Sequence, residues 1–302
     1  MSEENKKIIE LNCLTKKFKS LVAVNNFSID VKQGQIVGFV GPNGAGKTTT
    51  ISMLLGFIKA SSGTAKILGK TIKPENAHLV HKNVGYVAGD MALFDNLTGQ
   101  QYLDFFANQN SSKANRQDLV NKLKPQLNVK IKNLSRGNKQ KIALVSALQH
   151  SPNIIILDEP TSGLDPLMQK TFLEIIENEA KNGATVFMSS HILSEVAEVS
   201  DRVIFMRDGQ IIFDKTTQEI TALQGKNVQL TAENNVIEQL VENLLSGSAV
   251  TKKSKKDLHF TFKGSPELLI KWMAKHQLTD FSVKNESLED MFEELYSKAD
   301  SK

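Results

Sequence analysis

The sequence predicts an α/β fold with a mostly parallel sheet, followed by a small α+β domain, and three features point there. Strand-sized apolar runs alternate with helix-period segments from residue 8 to about 213, the order that builds parallel sheets. One glycine-rich turn, Gly41 to Thr49, lies between such a strand and such a helix. Past about Thr216 the pattern shifts to short alternating strands and two amphipathic helices. These shifts divide the 302 residues into an expected first domain of 1–220 and a second of 221–302.

In chain order, Ile8 to Leu14 and Phe27 to Val31 read as two strands around a Lys-rich turn. Gln35 to Val40 is a buried strand rich in β-branched and aromatic residues, and Thr49 to Leu55 carries helical spacing. Gly63 to Leu68 and Val84 to Ala88 are short strands. Leu97 to about Lys132 reads as helical and polar, broken at Asn110-Ser111-Ser112. Ser135 is a good N-cap for a helix running to Gln149. Asn153 to Leu157 is a buried strand, Pro166 to Lys181 an amphipathic helix, Ala184 to Met188 a strand and Ile192 to Val199 a short helix. Asp208-Gly209 marks a hairpin within Arg202 to Phe213. In the second domain, strands at Val228–Leu230, Ala249–Thr251, Leu258–Phe262 and Phe281–Lys284 enclose helices at Val236–Leu245 and Pro266–His276. Ser287-Leu288-Glu289-Asp290 reads as a capping box opening a last helix. The order βαββαβα predicts a ferredoxin-like arrangement.

Composition narrows the classes. A net charge of +4 on a mixed surface gives no reason to invoke nucleic acid. The single cysteine, Cys13, excludes an internal disulfide and suits a reducing cytoplasm. The first residues lack the apolar core of a signal peptide, and no apolar run approaches the roughly 20 residues that span a membrane. The Lys252–Lys256 run reads as a solvated hairpin tip.

Chemistry concentrates in a few stretches. Gly41-Pro42-Asn43-Gly44-Ala45-Gly46-Lys47-Thr48-Thr49 fits the phosphate-loop pattern G-x-x-x-x-G-K-[ST]. Its glycines let successive backbone N–H groups face inward, and the following helix N-terminus adds partial positive charge. Lys47 supplies a full charge, and Thr48 a hydroxyl for Mg²⁺. Ile154-Ile155-Ile156-Leu157-Asp158-Glu159-Pro160 is a strand ending in two carboxylates, which on a parallel sheet face the ligand crevice. Asp158 is the expected partner of Mg²⁺ and Glu159 the expected acceptor of a proton from attacking water.

Leu134-Ser135-Arg136-Gly137-Asn138-Lys139-Gln140 precedes that strand, and here the resemblance becomes specific. The stretch resembles the L-S-G-G-Q signature of ATP-binding-cassette proteins, in a variant with a basic residue in third place. The family landmarks then follow in order over residues 8–215. Ser162-Gly163-Leu164-Asp165 resembles the loop that crosses the family's dimer interface. Ser189-Ser190-His191 resembles the switch whose histidine touches the γ-phosphate, and Phe18 stands where the family stacks a ring on adenine. Asn285 to Phe292 is similar to the tail of cassettes that serve ABC-2-type exporters.

The resemblance implies a P-loop NTPase cassette with a mostly parallel sheet, an antiparallel β subdomain and a helical subdomain. It implies an ATPase with ATP and Mg²⁺ as ligands, Lys47, Glu159 and His191 as catalytic groups, and Thr48 and Asp158 toward the metal. Nucleotide contacts would come from Phe18 and residues 41–49 of one copy and from Ser135, Gly137, Asn138 and Asp165 across the pair. Partners would be a second cassette, identical or paralogous, and a separate ABC-2-type membrane permease, at the cytoplasmic face of the membrane. An importer cassette and a soluble regulatory, immunity or ribosome-associated ATPase stand as alternatives. The chain departs from the pattern after Val84-Gly85-Tyr86-Val87, where the family's glutamine is replaced by Ala88-Gly89-Asp90. Asp90 is the expected substitute toward the metal.

Overall fold

A computed structural model of the chain describes residues 6–110 and 114–288. It divides into two compact units, 1–217 and 218–302. The first opens with β1 (Lys7–Phe18) and β2 (Leu21–Lys32), then β3 (Ile36–Val40), α1 (Lys47–Leu54), β4 (Ser62–Ile67), β5 (Lys70–Thr71), α2 (His78–His81) and β6 (Val84–Val87). It continues with α3 (Gly99–Asn110), α4 (Arg116–Leu123), α5 (Arg136–Leu148), β7 (Ile154–Asp158), α6 (Pro166–Lys181), β8 (Thr185–Ser190), α7 (Leu193–Val199), β9 (Arg202–Arg207) and β10 (Gln210–Thr216).

Two sheets organise this unit. The larger has the order β10-β9-β3-β8-β7-β6. Its pairs from β9 to β6 are parallel, and β10 is antiparallel to β9. All residues of β3, β7 and β8 are buried, which explains why their central residues, among them Ile154–Leu157 and Val186–Met188, run apolar rather than alternating. The smaller sheet is antiparallel, in the order β2-β1-β4-β5. One core cluster joins the inner face of that sheet to α1 and the central strands through Leu14, Phe27, Phe39, Ile51 and Phe187.

Several local expectations need correction. The β1–β2 hairpin turns at Lys19-Ser20, and its strands run well past Leu14. Register shifts between Leu11 and Lys17, with Cys13 at φ 50°, break the period-2 pattern that the sequence reading relied on. The helical stretch expected up to Lys132 stops at Leu123. Lys124 takes a left-handed φ of 49° before Pro125, which ends the helix. The chain beyond is a loop ending in a 3-10 turn at Ile131–Asn133 and is tied back to the start of α3: Gln100 N–H donates to Leu127 O at 2.8 Å and Ile131 N–H to Leu97 O at 2.9 Å. The short elements β5 and α2, and α8 (Thr217–Leu223), carry too little periodicity to read in advance.

The second unit holds β11 (Lys226–Thr231), α9 (Asn234–Glu242), β12 (Ser248–Lys253), β13 (Asp257–Phe262), α10 (Pro266–Met273) and β14 (Asp280–Asn285). Its sheet is antiparallel throughout, in the order β12-β13-β11-β14. That is the strand order of a ferredoxin-like split βαβ unit. Val228, Leu230, Leu258, Phe260 and Phe262 face Ile237, Leu240, Leu269 and Trp272 in its core. The expected last helix lies beyond the described residues from 289 on, as does the second half of its capping box, and so does most of the Asn110–Ser112 break.

Candidate functional site

The phosphate-loop segment folds as a tight bend between β3 and α1. Gly41 N–H donates to Ser190 O and Ala45 N–H to Pro42 O. Gly46 closes the bend at φ 107°, where a Cβ would lie 2.4 Å from Ala23 O. A Cβ on Gly41 would lie 2.1 Å from Met206 O. The motif's spacing thus meets two physical demands, a left-handed residue before the helix and close passage of β9. The buried Lys47 ammonium donates back to Gly41 O at 2.6 Å and Pro42 O at 3.2 Å.

Strands β7 and β8 bring the acidic residues to this bend. Asp158 ends β7, is 1% exposed, and sits in register with Ser189 at the end of β8. Its Oδ2 accepts from the Thr48 hydroxyl at 2.6 Å and its Oδ1 from the Ser189 hydroxyl at 2.5 Å. Glu159 leaves the strand at φ 49°, a left-handed conformation unusual outside glycine and favoured at functional sites. Its N–H donates to Ser189 Oγ at 3.1 Å. Its Oε2 lies 2.6 Å from His191 Nδ1. Its Oε1 makes no hydrogen bond and faces the Lys47 ammonium at 3.4 Å.

These groups line an open cleft of about 600 Å³. Thr48, Asp158, Glu159 and His191 share it with Asn43, Tyr86, Ala88, Gly89, Asp90, Arg136 and Ser162. Asp90 therefore lines the same cleft as Thr48 and Asp158. Beside it, Gly89 leaves room, since a Cβ there would come no closer than 3.5 Å to Asp158. Burial, with the Asp158 carboxylate second, pushes the Tyr86 hydroxyl up to about 12, so the phenol stays protonated.

The other expected site residues stand outside the cleft lining. Ser135 caps α5, its Oγ accepting from Asn138 N–H at 3.3 Å and from the Asn138 amide at 3.3 Å. Gly137 packs so closely on the next loop that a Cβ would lie 2.7 Å from Gly163 O. Asp165 caps α6 through Met168 N–H at 3.0 Å. Phe18 lies half-exposed at the tip of the β1–β2 hairpin, with the Lys16 ammonium 4.8 Å from its ring centre.

Sequence reasoning gave no role to Ser189, Gln140, Tyr86 or Arg136. Ser189 is fully buried, and its signal was a small hydroxyl at the end of the strand adjoining Asp158. Gln140 is 2% exposed, and its amide donates to Pro160 O at 2.6 Å. A buried glutamine one turn into α5 has no partner legible in sequence, because Pro160 lies twenty residues on.

The arrangement offers backbone donors and a lysine for an oligophosphate, and hard oxygen ligands at the strand end. It also holds a carboxylate oxygen with no hydrogen bond beside a histidine. Comparison with known proteins agrees with that chemistry. The ABC transporter family model matches residues 24–162. The probable multidrug ABC transporter ATP-binding protein YbhF of Escherichia coli is 36% identical over 229 residues, 74% of this chain and 39% of that protein. This chain thus matches well under half the length of that relative. The bacitracin transport ATP-binding protein BcrA of Bacillus licheniformis is 39% identical over 210 residues, covering 68% of each chain. A solved ATP-binding subunit of an ABC transporter superposes with a TM-score of 0.65 at 26% identity, over 70% of this chain and 91% of that one. With its motifs, its fold and these relatives in agreement, the chain belongs to the ATP-binding cassette family of ABC transporters, a family of ATPases.

Proposed function

We infer that this chain is the ATP-hydrolysing subunit of an exporter and works in a pair, energising a separate ABC-2-type permease at the cytoplasmic face of the membrane. The observation that carries the reading is the convergence of Lys47, Thr48, Asp158, Glu159 and His191 at one bend. The Gly41–Thr48 amides and Lys47 bind the triphosphate, and Lys47 exchanges its bonds to Gly41 O and Pro42 O for phosphate oxygens. Glu159 takes the proton of the attacking water through Oε1, the oxygen that makes no hydrogen bond, once Lys47 turns to phosphate, while His191 holds Oε2 and orients the carboxylate.

The donor set fits magnesium. Thr48, Asp158 and Asp90 offer hard oxygens, and among the described residues no cluster of three or more His, Cys, Asp or Glu forms a cage. A hard ion held mainly by phosphate and water needs no such cage. When bound, magnesium supplies charge neutralisation on the phosphate oxygens.

Pairing is supported by the division of labour in the chain. Among the described residues it carries one phosphate bend and one signature-like helix N-terminus at Ser135–Asn138, with Ser135 exposed. Two complete sites therefore need two chains, with Ser135, Gly137, Asn138 and Asp165 of each completing the other's nucleotide site. Phe18, a half-exposed aromatic, stacks on adenine. Among the described residues no helix is long and apolar enough to cross a membrane. The relatives are named for multidrug and bacitracin transport, and efflux of such amphiphiles is the direction we infer. Co-purification of a membrane protein, with ATP turnover raised by an amphiphilic cargo, tests the reading. Turnover indifferent to any membrane partner, or copurification with ribosomes instead, would contradict it.

A further inference from the structure

Hydrolysis needs the attacking water held at more than one point. A base that accepts one proton fixes a single direction, and a second partner on the other O–H aims the oxygen at phosphorus. Most polar side chains of the cleft are already engaged. Thr48 and Asp158 bond each other, and Arg136 Nη2 donates to Ser162 Oγ at 2.8 Å. His191 is held by Glu159 Oε2. Asn43 and Asp90 are exposed loop residues. Among the described residues of the lining, two side-chain polar groups remain that are at least partly buried and make no hydrogen bond, Glu159 Oε1 and the Tyr86 hydroxyl.

Tyr86 is presented by the sheet rather than by a loop. It lies on β6 in register with Ile156 of β7, two residues before Asp158. Its ring meets that of Phe57 edge-on, with centres 5.5 Å apart, and packs against the core cluster that holds Phe39 and Ile51. A strand and a packed ring fix where the hydroxyl can go. The loop after β6 is cut back beside Asp158. Gly89 has no side chain there, and a Cβ would come no closer than 3.5 Å to the Asp158 carboxylate. Its φ lies outside the left-handed region, so nothing in the backbone calls for glycine, and its effect is to leave space.

We propose that the Tyr86 hydroxyl is a catalytic group that holds the attacking water, accepting its second O–H while Glu159 Oε1 accepts the first. The inference rests on Glu159 as the base. The water takes the space left at Gly89, which a longer polar side chain would otherwise reach. Its oxygen bonds to the γ-phosphorus, the bond from that phosphorus to the bridging oxygen of ADP breaks, and one water proton passes to Glu159 and on to solvent. The phenol keeps its own proton throughout.

The test compares wild type, Tyr86→Phe, Gly89→Gln, and the double variants Tyr86→Phe/Gly89→Gln and Tyr86→Phe/Gly89→Ala, as full chains. Turnover is measured against ATP concentration, and a fluorescent ATP analogue reports ground-state affinity. ADP with aluminium fluoride, which mimics the phosphoryl group under attack, reports affinity for the transition state. Tyr86→Phe keeps the ring and its contact with Phe57, so melting temperature and analogue affinity should match wild type. Its kcat should fall about five- to tenfold, the scale of one neutral hydrogen bond. Affinity for ADP with aluminium fluoride should weaken by a similar factor, with KM unchanged. Adding Gly89→Gln should restore most of the rate, because an amide oxygen takes over the second O–H, whereas Gly89→Ala should restore none. Gly89→Gln alone should change kcat less than it does in the Tyr86→Phe background. Wild-type kcat in Tyr86→Phe, or a loss shared with analogue affinity, would overturn the assignment. So would failure of Gly89→Gln to rescue a well-folded Tyr86→Phe. Each of these leaves the base in place if Glu159→Gln has lost turnover; wild-type turnover in Glu159→Gln would remove the base and this inference with it.

Discussion

The Thr48 hydroxyl donates to Asp158 Oδ2 across 2.6 Å, joining the start of α1 to the end of β7 over 110 positions of sequence. This single bond locks the phosphate bend to the acidic strand end. Both partners offer hard oxygens, one neutral and one charged, of the kind that would suit a hard cation. It also explains why a buried carboxylate is tolerated: both Asp158 oxygens accept from hydroxyls, of Thr48 and Ser189.

Glu159→Gln should leave nucleotide binding intact and lower turnover by at least about 100-fold, the usual scale of a general base. ATP-bound pairs should accumulate, which size-exclusion chromatography with light scattering would reveal. Turnover within a factor of a few of wild type would remove Glu159 from that role.

Ser189→Ala takes the donor from Asp158 Oδ1 and the acceptor from the Glu159 N–H at once. With Ser189 fully buried, two polar groups are left unmatched, at a cost of about 1–3 kcal/mol each. A lower melting temperature is expected together with a higher magnesium requirement for turnover. A loss of stability without any change in magnesium dependence would make Ser189 structural only.

Gly46→Ala and Gly44→Ala separate backbone strain from steric clash. Both residues have positive φ, 107° and 82°. A Cβ at Gly46 meets Ala23 O at 2.4 Å, whereas at Gly44 it meets nothing within 4 Å. Gly44→Ala should cost about 1–3 kcal/mol of strain, and Gly46→Ala distinctly more, with loss of nucleotide binding. Equal melting temperatures for the two variants would contradict the packing at Gly46.

His150 gives a pH prediction. Burial holds its imidazole below the ordinary histidine value, and neither ring nitrogen has a hydrogen-bond partner. The unfolded chain therefore binds the proton more readily than the folded one. The associated stability is present above about pH 6.5 and is lost as pH falls through that value toward the lower folded one. Burial pushes the Glu179 carboxyl the other way, up, so its effect opposes that of His150 as pH rises through the carboxylate range. Melting temperature recorded from pH 8 to pH 5 should fall more steeply for wild type than for His150→Gln. Parallel curves would show that His150 is not the source.

Much of this site can be read in the chain because its parts are local. A phosphate bend needs glycines within a few residues of a lysine, and a strand end presents Asp158 and Glu159 side by side. The sheet between them was legible because β3, β7 and β8 are buried on both faces. Ser189, Gln140 and Arg136 were not, because each acts on a partner twenty or more residues away. Hairpin length was missed for a different reason: bulges near Cys13 scramble alternation without ending the strand. The helix-to-loop change at Lys124-Pro125 had a signal, the proline, and a polar helix-compatible composition around it masked that signal.

The most direct measurement is equilibrium binding of a fluorescent ATP analogue to the wild-type chain and to Lys47→Ala, with and without magnesium. Saturable, magnesium-dependent binding by wild type is expected, weakened at least about 100-fold when Lys47's charge-assisted bonds to phosphate are lost. Equal affinity in the two proteins, or no binding by wild type at any magnesium concentration, would contradict the assignment of Gly41–Thr48 as the phosphate site.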